Sequence, residues 1–180
     1  MEWATISGKN RIGGRESSLG PGGHMAFNPI EHEAIEPVFT VATSAEIEKA
    51  CTLAWEVFHS DVFGWTERAN LLDKIAENIE AVGDPLLGRA HAETALPLAR
   101  LTGERGRTCA QLRMFATAIR NGEVAGETHI GADPDRQPMP RPELRRRLYP
   151  IGPVAVFGAS NVPLAFSVAG GDTASAFAAG

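Results

Sequence analysis

Between Thr43 and Asn121 the apolar residues recur every three or four positions, the spacing of amphipathic helices. Thr43 with Glu46 three residues later fits a capping box, and Ile47, Ala50, Cys51, Ala54, Val57 and Phe58 then share a stripe. A second helix starts near Thr66, with Ala69, Leu72, Ile75, Ala76, Ile79 and Val82 on one face and Gly83 at its end. Asp84-Pro85 restarts the chain as an N-cap and first-turn pair, and this third helix carries Leu87 and Ala90 before fading at Pro97. The fourth runs from about Leu98 to Arg120 with Leu101, Thr108, Leu112, Phe115, Ala116 and Ile119 on one stripe, and Asn121-Gly122 stops it.

The flanks have other patterns. Residues 1–42 are glycine-punctuated strand-and-turn material, with a turn at Asn28-Pro29 and a short strand over Ile35 to Val41. Prolines interrupt residues 123–142. Glu143 to Tyr149 reads as a charged edge or exposed strand. Val154 to Phe157 is apolar without alternation, as in a strand buried on both faces of a parallel sheet. Pro163 to Ala179 is small and apolar, suited to a helix packed on a sheet, with a break or kink expected at Gly170-Gly171. The predicted class is α/β: an N-terminal helical layer, then the start of a parallel sheet. A parallel strand needs a second one after the helix, and none fits before Gly180, so the unit reads as cut.

A length of 180 residues suits one domain or part of a larger one, and 43% hydrophobic residues can fill a core. The net charge of −5 argues against a general nucleic-acid or membrane-surface binder. No run approaches the ~20 apolar residues that cross a bilayer. Met1-Glu2-Trp3-Ala4 opens without a basic and apolar leader, so a cytoplasmic protein with reduced thiols is expected. Two cysteines make neither a disulfide framework nor a zinc site. Cys51 is expected to be buried on the first helical stripe. Cys109, beside the fourth stripe and near Arg105, Arg107 and Arg113, is expected to be a bystander. The five histidines show no i, i+4 pair for a metal. Arg145-Arg146-Arg147 fits an exposed strand or a subunit contact better than nucleic acid.

Asn161 carries the candidate chemistry. It stands where the 154–157 strand stops, and the carboxyl ends of such strands are where open α/β sheets bind ligands. Its amide would suit a donor aimed at a developing oxyanion. Local sequence alone favours the reading that it caps a following helix. Gly158-Ala159-Ser160-Asn161 is no dinucleotide fingerprint by itself and fits a tight turn.

Two stretches resemble a known family. Glu93-Thr94-Ala95-Leu96-Pro97 with Arg100-Leu101-Thr102-Gly103-Glu104-Arg105-Gly106-Arg107-Thr108 is similar to a signature helix. Pro150-Ile151-Gly152-Pro153 through Asn161-Val162-Pro163-Leu164-Ala165-Phe166 is similar to a strand, turn and Asn-x-Pro motif. Together they resemble the N-terminal part of the aldehyde dehydrogenase superfamily. Within it they resemble the NADP-linked fatty aldehyde and 2,5-dioxovalerate (α-ketoglutaric semialdehyde) dehydrogenases, as does Ala169-Gly170-Gly171-Asp172-Thr173-Ala174-Ser175-Ala176.

The resemblance implies oxidation of an aldehyde to an acid with NADP or NAD. It places Asn161 at the oxyanion and Phe157, Gly158, Ala159 and Ser160 along the cofactor. It implies residues 1–125 as the first part of a cofactor domain, 126–149 as an oligomerisation arm and 150–180 as the opening of a Rossmann-like sheet, in a homo-oligomer without membrane or nucleic acid. It also sets the family's nucleophilic cysteine, general-base glutamate and cofactor-holding lysine beyond Gly180, since neither Cys51 nor Cys109 matches the nucleophile motif. This chain alone is therefore expected to be inactive, and a non-catalytic interaction fragment of the same family is the alternative. Ser160, Val162 and Ala95 depart from the aromatic, Phe and Gly common at those positions.

Overall fold

A computed structural model describes residues 6–60 and 62–180; Met1 to Ala4, read for a leader, lie outside the described residues. The chain begins with two hairpins. β1 (Asn10–Ile12) pairs antiparallel with β2 (Arg15–Ser17) across Gly13-Gly14, whose φ values of 58° and 75° suit a two-residue turn that needs positive φ. β3 (Gly23–Asn28) pairs antiparallel with β4 (Glu33–Thr40). Its register shifts between Met25 and Ala26, leaving Glu36 and Pro37 out of the ladder, as a residue without an N–H requires. The Glu36 carbonyl instead accepts from Nη1 of buried Arg89 at 2.6 Å.

Four helices follow, as the periodicity predicts: α1 (Ser44–Phe58), α2 (Trp65–Val82), α3 (Asp84–Thr94) and α4 (Leu98–Arg120). The Thr43–Glu46 capping box is present. Glu46 also accepts from the Ser17 hydroxyl, so the same carboxylate fastens β2 to the start of α1. Gly83, at φ 67°, ends α2 and stands as the N-cap of α3, where the sequence had suggested Asp84.

The core lies between α2, α4 and α5 (Gly171–Ala179). Ala69, Leu72, Ala76, Cys109, Leu112, Ala116, Ile119, Ala174 and Ala178 fill it, and the alanines let the helices approach closely. A smaller cluster joins Leu87, Ala90 and Leu101, with Leu96 and Leu164 packed against it. Arg113 grips Glu80 through two bonds of 2.7 Å, and Arg120 reaches Asp73 at 2.7 Å, linking α4 to α2 along their outer side.

The mixed α/β composition is as predicted, but the expected parallel strand is not formed. Residues 150–159 form neither helix nor strand, and every strand pair among the described residues is antiparallel. Val154 is 57% and Phe157 88% exposed. A strand is defined by its neighbours' hydrogen bonds, and no described strand pairs with this segment. The expected helix over 163–179 is shorter too. Residues 160–170 make successive turns, and α5 starts at Gly171, so the predicted break at Gly170-Gly171 is the helix start itself. A Cβ on Gly170 would lie 2.5 Å from the Ala165 carbonyl oxygen, which reserves that position for glycine.

The edge strand over 143–149 shrinks to β6 (Leu144–Arg146), antiparallel to β5 (Thr128–Ile130), and every residue of both is exposed. Cys51 corrects another expectation: it is exposed, because the apolar stripe of α1 is left largely uncovered by the described residues.

Candidate active-site turn

α4 builds the turn that carries Asn161. Arg100, Glu104 and Thr108 are spaced i, i+4, i+8 and so lie along one helical face. Each reaches the 161–164 backbone. Arg100 Nη2 donates to the Asn161 carbonyl at 2.9 Å. The Leu164 N–H donates to Glu104 Oε2 at 3.1 Å. The Thr108 hydroxyl stands 2.7 Å from the Leu164 carbonyl and 3.0 Å from that of Glu104, within donating distance of both. Arg100 Nε donates to Glu104 Oε1 at 3.1 Å, closing the bracket.

Burial makes this arrangement consequential. Glu104 is 8% and Thr108 2% exposed. A buried carboxylate is tolerated when it is ion-paired and hydrogen-bonded, and Glu104 is both. Leu164, between these contacts, packs its side chain against the Leu87–Ala90–Leu101 cluster.

The turn then folds back on itself. The Phe166 N–H donates to the Val162 carbonyl at 3.1 Å, and the Ala159 N–H to the Phe166 carbonyl at 2.8 Å. Ala165 is buried, its carbonyl accepting from Gly171 at 3.2 Å, which joins the turn to α5. The Arg107 guanidinium lies 5.2 Å from the Phe166 ring centroid, a cation–π distance.

Phe157, Gly158, Ala159, Ser160 and Asn161, the residues singled out from the sequence, are consecutive and all exposed. The Asn161 carboxamide is thus at the surface, and it has no hydrogen-bond partner among the described residues; only its carbonyl is held. No helix starts after it, since the N-cap of α5 is Gly170, so the capping alternative falls away. The turn is thus fixed through its backbone while the Asn161 side-chain amide stays unengaged.

Sequence reasoning missed Arg100, Glu104 and Thr108 as supports of this turn. The signal was present: Glu104 falls between Leu101 and Thr108 on the stripe, where a carboxylate demands a partner.

An apolar groove of about 490 Å³ lies elsewhere. Leu53, Val57, Phe58, Phe63, Val154 and Phe177 line it, and none of the residues 157–161 does. Among the described residues, no group of His, Cys, Asp and Glu is arranged to hold a metal. Cys109 is buried beside the Ala76 carbonyl, and desolvation pushes its thiol upward, away from a reactive thiolate.

The chain's relatives agree with this architecture. It is 50% identical over 177 residues to α-ketoglutaric semialdehyde dehydrogenase 2 of Azospirillum brasilense, covering 97% of this chain and 34% of that protein. It is 42% identical over 178 residues to the α-ketoglutaric semialdehyde dehydrogenase of Acinetobacter baylyi, covering 97% and 33%. The chain therefore spans about a third of the length of these curated relatives. Its fold is similar to a betaine aldehyde dehydrogenase of Staphylococcus aureus in complex with NAD+, with TM-score 0.61 and 19% identity over 70% of this chain and 25% of that one. It is also similar to an NAD-dependent benzaldehyde dehydrogenase of Corynebacterium glutamicum, with TM-score 0.62 and 17% identity over 76% and 29%. The model of the aldehyde dehydrogenase family matches residues 22–180, and with most of the sequence so covered, the chain belongs to the aldehyde dehydrogenase family.

Proposed function

We propose that this chain forms the N-terminal part of an NAD(P)-dependent enzyme that oxidises a semialdehyde acid, or a fatty aldehyde, to the carboxylic acid. The observation that carries this reading is the Asn161 carboxamide, exposed and unpartnered on a turn that α4 holds from behind. Two relatives named for α-ketoglutaric semialdehyde favour the semialdehyde acid.

In this reading Asn161 donates its amide N–H to the aldehyde oxygen as negative charge builds there. Such a donor acts by being in place before the charge appears, so no reorganisation is needed in the transition state. Phe157, Gly158, Ala159 and Ser160 would hold the cofactor. They fit it: 158–160 bear small side chains on exposed backbone, and only the Ala159 N–H of that stretch is engaged by the turn. When bound, NADP or NAD supplies the hydride acceptor. The nucleophile would come from elsewhere in the polypeptide: Cys109 is buried, and Cys51 lies on α1 in a surface cleft with Trp55 and Ile151 that none of the residues 157–161 lines. The 180 residues alone are accordingly inactive.

Residues 126–149 would serve as the arm that joins subunits of a homo-oligomer. The exposed β5–β6 hairpin supports this, with Leu144, Leu148 and Tyr149 open to solvent. Residues 150–157, outside any ladder here, would become a sheet strand once flanked by partner strands. The enzyme is read as cytoplasmic; no helix of the described residues is long and apolar enough to cross a membrane.

The test is to express the complete reading frame that contains this chain and assay it with α-ketoglutaric semialdehyde and a long-chain aldehyde, each with NADP and NAD. Reduction of NADP with the semialdehyde as the better substrate is expected. No aldehyde-dependent reduction of either cofactor would overturn the proposal.

A further inference from the structure

We infer that Glu104 is a positioning residue for Asn161, acting with Arg100 and Thr108 as a bracket that sets the angle of the Asn161 turn against α4. The inference deepens the oxidoreductase reading and rests on it for its catalytic consequence, but its structural content stands alone.

The bracket has unequal halves. At residue 164 the hold is double: Glu104 receives the N–H, and Thr108 faces the carbonyl at 2.7 Å. Both groups are buried, and half-buried Leu164 packs against the apolar cluster beside them. This end is the anchor. At residue 161 the hold is single, a bond of 2.9 Å from Arg100, whose side chain is 47% exposed. Arg100 has many open directions, and the one it takes is set by its pairing with Glu104. One carboxylate thus governs both ends, one oxygen directly and the other through a guanidinium. Between the ends lie Val162 and Pro163, and proline's fixed φ keeps the span short and stiff. A rigid span held at both ends leaves the Asn161 side chain its own rotation as its main freedom.

The roles separate by substitution. Glu104→Ala removes both contacts. Glu104→Gln keeps an oxygen acceptor for Leu164 while removing the charge that orients Arg100. Arg100→Gln removes the Asn161 contact and the Arg100–Glu104 pair while leaving Glu104 to receive the Leu164 N–H, and Thr108→Val removes only the hydroxyl.

The experiment is amide hydrogen exchange and side-chain amide spectra of the isotope-labelled 180-residue chain. In Glu104→Ala the Leu164 amide is expected to exchange at least about tenfold faster, the loss of a hydrogen bond to a charged group. Leu72 and Leu112 in the core are expected to keep their protection. In Glu104→Gln, Leu164 is expected to stay within about threefold of the wild type, since a neutral acceptor remains. The Asn161 side-chain resonances are expected to shift alike in Glu104→Gln and Arg100→Gln.

A uniform rise across α4 and α5, or no rescue by glutamine, would mean a purely structural residue and overturn the inference. If Glu104→Ala fails to fold, Arg100→Gln decides: unmoved Asn161 resonances overturn it. In the complete enzyme Glu104→Gln is expected to lower kcat about tenfold with KM nearly unchanged, as for a contact that acts in the transition state. An unchanged kcat there, with the Asn161 resonances moved, would refute the catalytic consequence. Absence of any aldehyde oxidation would instead refute the proposed function and leave the exchange rates as they are.

Discussion

Ala95 closes α3 at φ 57° and ψ 11°, in the left-handed region where a Cβ is crowded. Its N–H donates to the His91 carbonyl at 2.8 Å, and His91 Nδ1 stands 2.7 Å from the Leu96 carbonyl, so the surroundings fix the conformation. Glycine suits this cap without that crowding. Ala95→Gly is therefore expected to raise stability by about 0.5–1 kcal/mol, read as a higher denaturant midpoint with unchanged slope. The two thiols give a second prediction at this scale. Cys51 is exposed and Cys109 is 1% exposed with its thiol pushed up by burial. A native-state thiol titration is expected to show one fast and one slow cysteine; two fast thiols would contradict the packing of α4 on α2.

At the scale of elements, Glu46 joins a hairpin to a helix. The Ser17 hydroxyl and then the Thr43 backbone N–H hold its carboxyl at about 2, below the ordinary 4.5. Because the folded value is depressed, its stabilisation is complete above about 4.5 and is lost as pH falls toward 2. Glu46→Gln is expected to flatten that acid limb while changing stability little in slope near neutrality; an unchanged acid limb would contradict the linkage.

The elements also differ in how far the sequence reveals them. The four helices were readable because their periodicity and stops are local, down to Thr43, Gly83 and Asn121. The 154–157 strand was not, because a strand requires neighbours, and its apolar run only states that neighbours are wanted. Cys51 shows the same limit: its stripe is amphipathic as read, but burial depends on a covering partner. That Asn161 stands on a turn was legible from the small residues before it. The Arg100–Glu104–Thr108 bracket was legible only in part, because Glu104's place on the stripe calls for a partner but does not name the one sixty residues on.

At the scale of the molecule, the helical core of α2, α4 and α5 is packed and the Asn161 turn is pinned to it, while other surfaces stay open. The α1 stripe, the apolar groove and the 150–157 segment adjoin one another and expose Trp55, Ile151 and Val154. Contiguous apolar surface of this kind marks a contact face. The proposed family architecture accounts for it, since most of the relatives' length lies outside the matched third. Under that account the 180-residue chain associates in solution and produces no NADPH with any aldehyde. Light scattering coupled to size exclusion checks the first point and cofactor fluorescence the second; a clean monomer with aldehyde-dependent NADPH formation would contradict both.

The account depends most on the amide of Asn161, and its kinetics test that directly. In the complete enzyme, Asn161→Ala is expected to lower kcat by about a hundred- to a thousandfold with KM within a few-fold of wild type, the loss of one oxyanion donor. Asn161→Asp, which replaces the donor with a negative acceptor, is expected to fall at least as far. Full kcat in either variant would contradict the account.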